Sequence, residues 1–197
     1  GSYLLLEIDN EPVEIQKLQN TITIIRNFLK NKNVIFTDLR IADKSIFFDI
    51  SNKDIDIVKT FFSDKESEIN PYYNQYKSHQ FDLSIIENEF KLTLSKYGLI
   101  EIKTSSQDQA IEIVRRRVDE VGTNEPNILK RGNNRILVEL PGLDDPMRIK
   151  SLLGKTANLT FRFVTQNNND TFGVETLQFE GDTNEATVSK RIILSGE

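Results

Sequence analysis

The sequence predicts an α+β fold in which helices lie on antiparallel sheet, and three observations lead there. Amphipathic helical stretches alternate with short strand-like runs. Several strands come in pairs joined by tight polar turns, and the order helix, strand, strand, helix, strand occurs twice. A chain of 197 residues has material for one or two small domains, and 38% hydrophobic with 28% charged residues is the balance of a folded, soluble chain.

Tyr3–Asp9 is short and apolar and ends in a turn-prone Asp-Asn, so it reads as a buried strand. Pro12 suits a helix start, because the donor it lacks would have no partner in the first turn. From there Val13, Ile15, Leu18, Ile22, Ile25, Phe28 and Leu29 recur mostly at three- and four-residue steps, predicting an amphipathic helix with these residues inward. Val34–Ile41 and Ser45–Ser51 are strands joined as a hairpin at Ala42-Asp43-Lys44. Asn52 is expected to cap a second helix over Asp54–Phe62, with Ile55, Val58, Phe61 and Phe62 inward. Ser63–Glu87, with Pro71 and three tyrosines, predicts a loop-rich connection or ragged helix. Glu89–Ser95 alternates and closes this half as a strand.

Local alternation in "GLIEIKT" suits a strand, but "SSQDQAIEIVRRRVDEV" is helical, with Ala110, Ile113, Val114, Val118 and Val121 on one face. Leu99 and Ile102 join that face, so one long helix is expected over Tyr97–Val121, stopped by a left-handed Gly122. Asn127–Arg131 and Arg135–Leu140 then form a hairpin across "GNN". Asp144-Asp145-Pro146 starts another helix, with Ile149, Leu152 and Leu153 inward and Gly154 as its stop. Ala157–Val164 is a strand, "QNNNDTFG" a polar linker, and "VSKRIILSG" the one convincing strand beyond it. Ile46–Ile50 and Ile136–Leu140 share a pattern at an offset of 90 positions. With Tyr3–Asp9 as a first strand, the order is the split βαββαβ of ferredoxin-like folds, and the whole reads as a ferredoxin-like base with two related halves.

Composition closes several functional classes. A net charge of −5 sets no field for phosphate backbones, and the basic hairpin of Lys130, Arg131 and Arg135 lacks the interleaved aromatics of single-strand binders. RNA binding by an RRM-like sheet is disfavoured on both counts. Without cysteine there is no thiolate nucleophile, disulfide or Cys-type zinc site. With His79 as the sole histidine, set in a polar stretch and read as a surface residue, a histidine-based triad or metal site is not expected. No apolar run reaches bilayer-spanning length, "GSYLLLEID" has no basic leader, and the end just after a strand pattern predicts a piece of a longer protein.

Arg115, Arg116 and Arg117 cannot form one patch on a helix, where neighbours point about 100° apart, and Glu112 lies one turn before them. Asp119-Glu120 and Asp144-Asp145 have no companion histidine, lysine pocket or metal motif, and aspartate at a helix start is explained by the dipole. No catalytic, cofactor-binding or metal-binding residue is assigned. From these residues alone a ferredoxin-like domain that binds a small regulatory ligand stays open beside a mechanical module.

One stretch says more. "IEIVRRRVDEVGTNEPNILKRGNNRILVELPGLDDPMRIKSLLGKTANLTFRFV" resembles the first periplasmic region of the SecD family, subunits of the bacterial Sec translocase accessory complex. The pattern is carried by Arg115, Arg117, Val118, Gly122, Glu125 and Pro126, then by Arg135, Ile136, Val138, Glu139, Leu140, Pro141 and Gly142. Leu153, Gly154, Thr156, Ala157, Leu159, Phe161 and Arg162 complete it. "GSYLLLEID" is similar to the family segment after its first transmembrane helix, and 10–95 to the insertion of longer members. "KRIILSG" is similar to the entry of a head subdomain.

The resemblance implies a division into residues 1–9, a first strand of the base; 10–95, an inserted half; 96–165, the SecD-type base half; and 166–197, a linker and the start of the head. It implies a non-catalytic periplasmic domain at the inner membrane, in a protein that works with SecF and the SecYEG channel on emerging unfolded preprotein, driven by the proton-motive force. In the motif, Arg115 and Arg117 are expected to flank the helix–sheet seam. Pro126 is expected to force Asn124 and Glu125 towards extended backbone, and Pro141-Gly142 to end a strand. These are fold-determining roles.

Overall fold

A run of apolar residues on a strand needs cover, and the first strand has it: Leu4, Leu5, Leu6 and Ile8 are all buried. A computed structural model describes residues 2–120, 122, 125–142, 145, 151, 153, 159–163, 174–178, 185–189 and 194–195. In chain order the elements begin with β1 (Ser2–Ile8), α1 (Glu11–Asn31), β2 (Phe36–Ala42), β3 (Ser45–Ile50), a 3-10 turn (Asn52–Asp54) and α2 (Ile55–Ser63). There follow β4 (Tyr72–Tyr73), β5 (Ser78–His79), β6 (Phe81–Ile86), β7 (Glu89–Leu94) and α3 (Lys96–Glu120). The last are β8 (Asn127–Arg131), β9 (Arg135–Leu140), β10 (Leu159–Phe163), β11 (Val174–Gln178), β12 (Glu185–Ser189) and β13 (Leu194–Ser195). The architecture is α+β, with antiparallel sheets as expected.

Two compact units result, Gly1–Asn10 with Lys103–Glu197, and Glu11–Ile102. In the first, five strands lie in the order β13-β10-β1-β9-β8, all antiparallel, and β11 pairs with β12. Leu4 faces Val138 and Leu6 faces Ile136 across β1 and β9. Ala110, Ile111, Val114 and Val118 of α3 close that face into one core. Consecutive turns of α3 supply these residues, which is what the helical period requires of a helix lying on a sheet.

In the second unit the strand order is β2-β3-β7-β6, two hairpins side by side. Its core joins Leu18, Ile25 and Leu29 of α1, Val58 and Phe62 of α2, and Ile46, Phe48, Ile50, Phe90, Leu92 and Leu94 of the sheet, with Ile102 of α3. The rings of Phe48 and Phe90 stack at 5.2 Å. Asp43 and Lys44, at φ 48° and 56°, make the two-residue turn between β2 and β3, with the hand that fits strand twist. The offset of 90 residues places β3 on β9, yet the strands beside these hairpins differ, since β7 pairs with β3 while β1 pairs with β9.

The structure departs from expectation at several points. Ser63–Glu87 contains β4, β5 and the full strand β6 in place of a loop or ragged helix. Ile15 is exposed, and Thr21 takes a buried place on α1 because its hydroxyl donates to the Lys17 carbonyl at 2.7 Å. Asn52 caps nothing: it lies inside the 3-10 turn, and α2 starts at Ile55, where the N-cap residue Asp54 makes no side-chain capping bond. His79 is half-buried, its Nε2 2.9 Å from the Asp64 carbonyl oxygen and its ring against Tyr72. Beyond β10, β11 and β12 form a hairpin as well. The expected helix of 144–153 falls mostly outside the described residues, although Leu153 is buried in the first core.

Candidate functional site

The motif block runs from the end of α3 through the β8–β9 hairpin. Arg115 Nη1 donates to Glu112 Oε1 at 3.2 Å, one turn back and exposed, and Arg116 is exposed as well. Arg117 is half-buried and partnered. The three guanidiniums therefore spread round the helix. Gly122 then takes φ 68°, and its N–H bonds the Asp119 carbonyl at 3.1 Å, so the helix stops in left-handed backbone as predicted.

Glu125 was expected to be extended ahead of Pro126, and instead has φ 38°. Left-handed backbone at Glu125 turns the chain just before β8. Asn124 lies outside the described residues. At the far end Pro141 and Gly142 are exposed in a turn, with Gly142 at φ 75°, which suits the end of β9. Gly154 lies outside the described residues.

The hairpin is held by a residue that the pattern reading passed over. Gln107 is 2% exposed, and its Nε2 donates to the Gly132 carbonyl at 3.0 Å and the Arg135 carbonyl at 2.7 Å. It stands one turn before Ala110 and Ile111 on the buried face of α3. A lone amide on an apolar helical stripe was the available signal, because such a group is buried only with its bonds made.

The basic charges of the hairpin are answered locally. Lys130 pairs with Asp108 of α3. Arg135 Nε lies 4.0 Å from Glu7 Oε1, close enough for attraction and too far for a hydrogen bond. Glu139 stands opposite Tyr3 and accepts a hydrogen bond from its hydroxyl, which with the carboxylate's charge raises the Tyr3 pKa above the usual tyrosine value. Asp119 and Glu120 point into solvent. Among the described residues no group of His, Asp and Glu is placed to hold a metal ion. Within the block, the described side chains are spread over helix, turn and strand and meet in pairs.

The second unit has its own charged cluster. Arg40 reaches Asp38 and, through Nη2 at 3.1 Å, Glu89, while its guanidinium lies over Phe47 at 4.8 Å. Glu89 and Asp49 are direct cross-strand partners, a like-charge pair that Arg40 offsets. Its pKa is raised first by the bond to Glu89. Tyr73 has its pKa raised by burial, against a lowering bond from Gln80 Nε2 at 2.8 Å. No helix among the described residues is long and apolar enough to cross a membrane.

Residues 107–166 match the family model described as protein translocase subunit SecDF, P1 domain, N-terminal. Along its whole length the chain is similar to protein translocase subunit SecD of Rickettsia bellii, at 31% identity and over 38% of that protein. Protein translocase subunit SecD of Acetobacter pasteurianus is 35% identical over 85% of this chain and 31% of its own length. That of Pseudomonas aeruginosa is 28% identical over the whole chain and 31% of its own length. No solved structure matches the chain significantly. It thus spans little more than a third of these relatives at most, and within that span the chain belongs to the SecD family of protein translocase subunits.

Proposed function

We propose that these residues form a non-catalytic periplasmic platform of a Sec translocase accessory subunit, and that the platform contacts unfolded polypeptide during export. The observation that carries the reading is the SecDF P1 match over 107–166, the stretch whose arginines and acids are spread over turns, helix and strand. Catalysis needs groups converging on one reacting atom. The whole subunit sits in the inner membrane, works with SecF and the SecYEG channel, and draws on the proton-motive force.

The base in this reading is a ferredoxin-like βαββαβ unit. Support comes from strand order: β10-β1-β9-β8 is fourth, first, third, second, the order of that fold when α3 follows β1 as its first helix. Residues 1–9 and 96–165 are then base, 10–95 an inserted half, and 166–197 the start of a head. The block from Arg115 and Arg117 through Gly122, Glu125 and Pro126 to Arg135, Glu139, Pro141, Gly142 and Gly154 shapes this base and touches no substrate.

Secretion tests the proposal. Deleting residues 11–102 or 103–197 from the full-length subunit slows export of a reporter preprotein, and the isolated chain binds an unfolded preprotein in preference to the same protein folded. Unimpaired export by both deletions, or equal affinity for folded and unfolded forms, overturns it.

A further inference from the structure

A sheet edge is a row of unpaired main-chain groups, and proteins usually blunt it by a bulge, by charge or by brevity. The two larger sheets have four edges, and three of them are blunted. β2 is broken by a register shift between Thr37 and Arg40, with Asp38 at φ 53°. β8 carries Lys130 and Arg131, and β13 has two residues. β6 is different. It pairs with β7 without irregularity from Phe81–Leu94 to Ile86–Glu89, has no proline, and bears one charge, Asp82.

The direction of its free groups follows from its bonds. Ser95 N–H donates to the Gln80 carbonyl at 2.9 Å, so that carbonyl faces β7, while the Gln80 N–H donates to the Pro71 carbonyl at 2.8 Å. By alternation along the β6–β7 ladder Asp82, Ser84 and Ile86 turn their main-chain groups to β7, while Phe81, Leu83 and Ile85 direct theirs outward. At Phe81 a side chain takes the place of a neighbouring strand: Asn70 Oδ1 accepts its N–H at 2.9 Å and Asn70 Nδ2 donates to its carbonyl at 3.1 Å. At Leu83 and Ile85 nothing among the described residues does so.

We propose that the outer edge of β6, at Leu83 and Ile85, takes up an extended segment of unfolded polypeptide as an added strand. This rests on the reading that the chain contacts such polypeptide, and names where. Main-chain pairing accepts any extended sequence, and the side chains set a mild preference. Rows Ile46–Leu92–Leu83 and Phe48–Phe90–Ile85 run across the sheet to this edge, so alternate residues of the incoming strand extend them and are apolar. A second copy is a poor occupant, because two free positions bury far less than the roughly 1,200 Å² that a stable protein interface needs.

Hydrogen exchange of the 197-residue chain tests this, with a twelve-residue peptide of alternating valine and threonine as probe. At saturation the amides of Leu83 and Ile85 slow about tenfold or more, while those of Asp82 and Ser84, already bonded to β7, do not change. A peptide N-methylated at alternate residues binds at least about tenfold more weakly, a control that leaves the protein untouched. Ile85→Pro, which removes an outward donor, weakens binding likewise. Peptide binding without protection at Leu83 and Ile85 overturns the β6 site while leaving polypeptide contact intact. Failure of an unfolded preprotein to bind at all removes both. Protection that arises from dimerisation of the chain, seen by sedimentation, assigns the edge to a second copy and overturns the proposal.

Discussion

Tyr3 and Glu139 face each other across β1 and β9, and the Tyr3 hydroxyl donates to the Glu139 carboxylate. The pair ties the strand that opens the chain to the one that ends in Pro141-Gly142. Ionising Tyr3 would set two negative charges side by side, so its folded-state pKa is raised. For a raised pKa, the stabilisation is fully present below the unfolded tyrosine value of 10.0 and is lost as pH rises through the folded value. A spectrophotometric titration therefore shows two tyrosines ionising above free tyrosine, Tyr3 through Glu139 and Tyr73 through burial, and Glu139→Gln moves the first of them down. A Glu139→Gln titration that overlays the parent's disproves the link.

Gln107 is the polar residue on which the β8–β9 hairpin hangs. Gln107→Leu leaves the Gly132 and Arg135 carbonyls without the amide, and costs about 1–3 kcal/mol in urea unfolding for buried acceptors without partners. Exchange at the hairpin amides should quicken before the rest of the first unit responds. A neutral Gln107→Leu refutes the assignment.

Gly98 sits in the first turn of α3, where glycine is usually a weakness. A Cβ there would lie 2.3 Å from the Gln80 carbonyl oxygen, a main-chain atom fixed by its bond from Ser95 N–H. Gly→Ala in a helix ordinarily stabilises by about 0.4–1 kcal/mol when the backbone allows it. Here the sign reverses, and Gly98→Ala costs about 1–3 kcal/mol, the range of overpacking. Thermal melts of the two proteins decide it.

The same glycine shows where sequence reading reached its limit. Hairpins β2–β3 and β8–β9 and the long helix α3 were legible because Asp43-Lys44, Gly132 and the apolar stripe through Val114 and Val118 carry local signals. β6 was not. Pro71 and the tyrosines of 72–76 advertise a loop, the Ile85-Ile86 doublet breaks the alternation, and the strand is specified by its partner β7 and by Asn70, eleven residues away. Ile15 misled for a related reason: it fits the helical stripe of α1, yet whether a stripe position is covered depends on distant segments, and Ile15 is exposed. The motif block was legible as a family pattern, whereas Gln107 and the Tyr3–Glu139 pair depend on contacts between distant segments. Glu125 was misread because the preference for extended backbone before proline is a bias, and a turn just before β8 overrides it.

Asn70 offers the sharpest separation of packing from pairing. It is 1% exposed and its side chain makes three bonds, to the Phe62 carbonyl and to both main-chain groups of Phe81. Asn70→Asp keeps the acceptor and removes both donations, and places a carboxylate beside two carbonyls in a buried site. Asn70→Ala removes all three bonds, leaving buried main-chain groups that cost about 1–3 kcal/mol each. Both variants lower the urea midpoint, and Asn70→Asp recovers on acidification, since protonation restores a donor to the side chain. Asn70→Ala has no titratable group and does not recover. Equal pH dependence in the two variants would show that Asn70 fills space without directing the edge of β6.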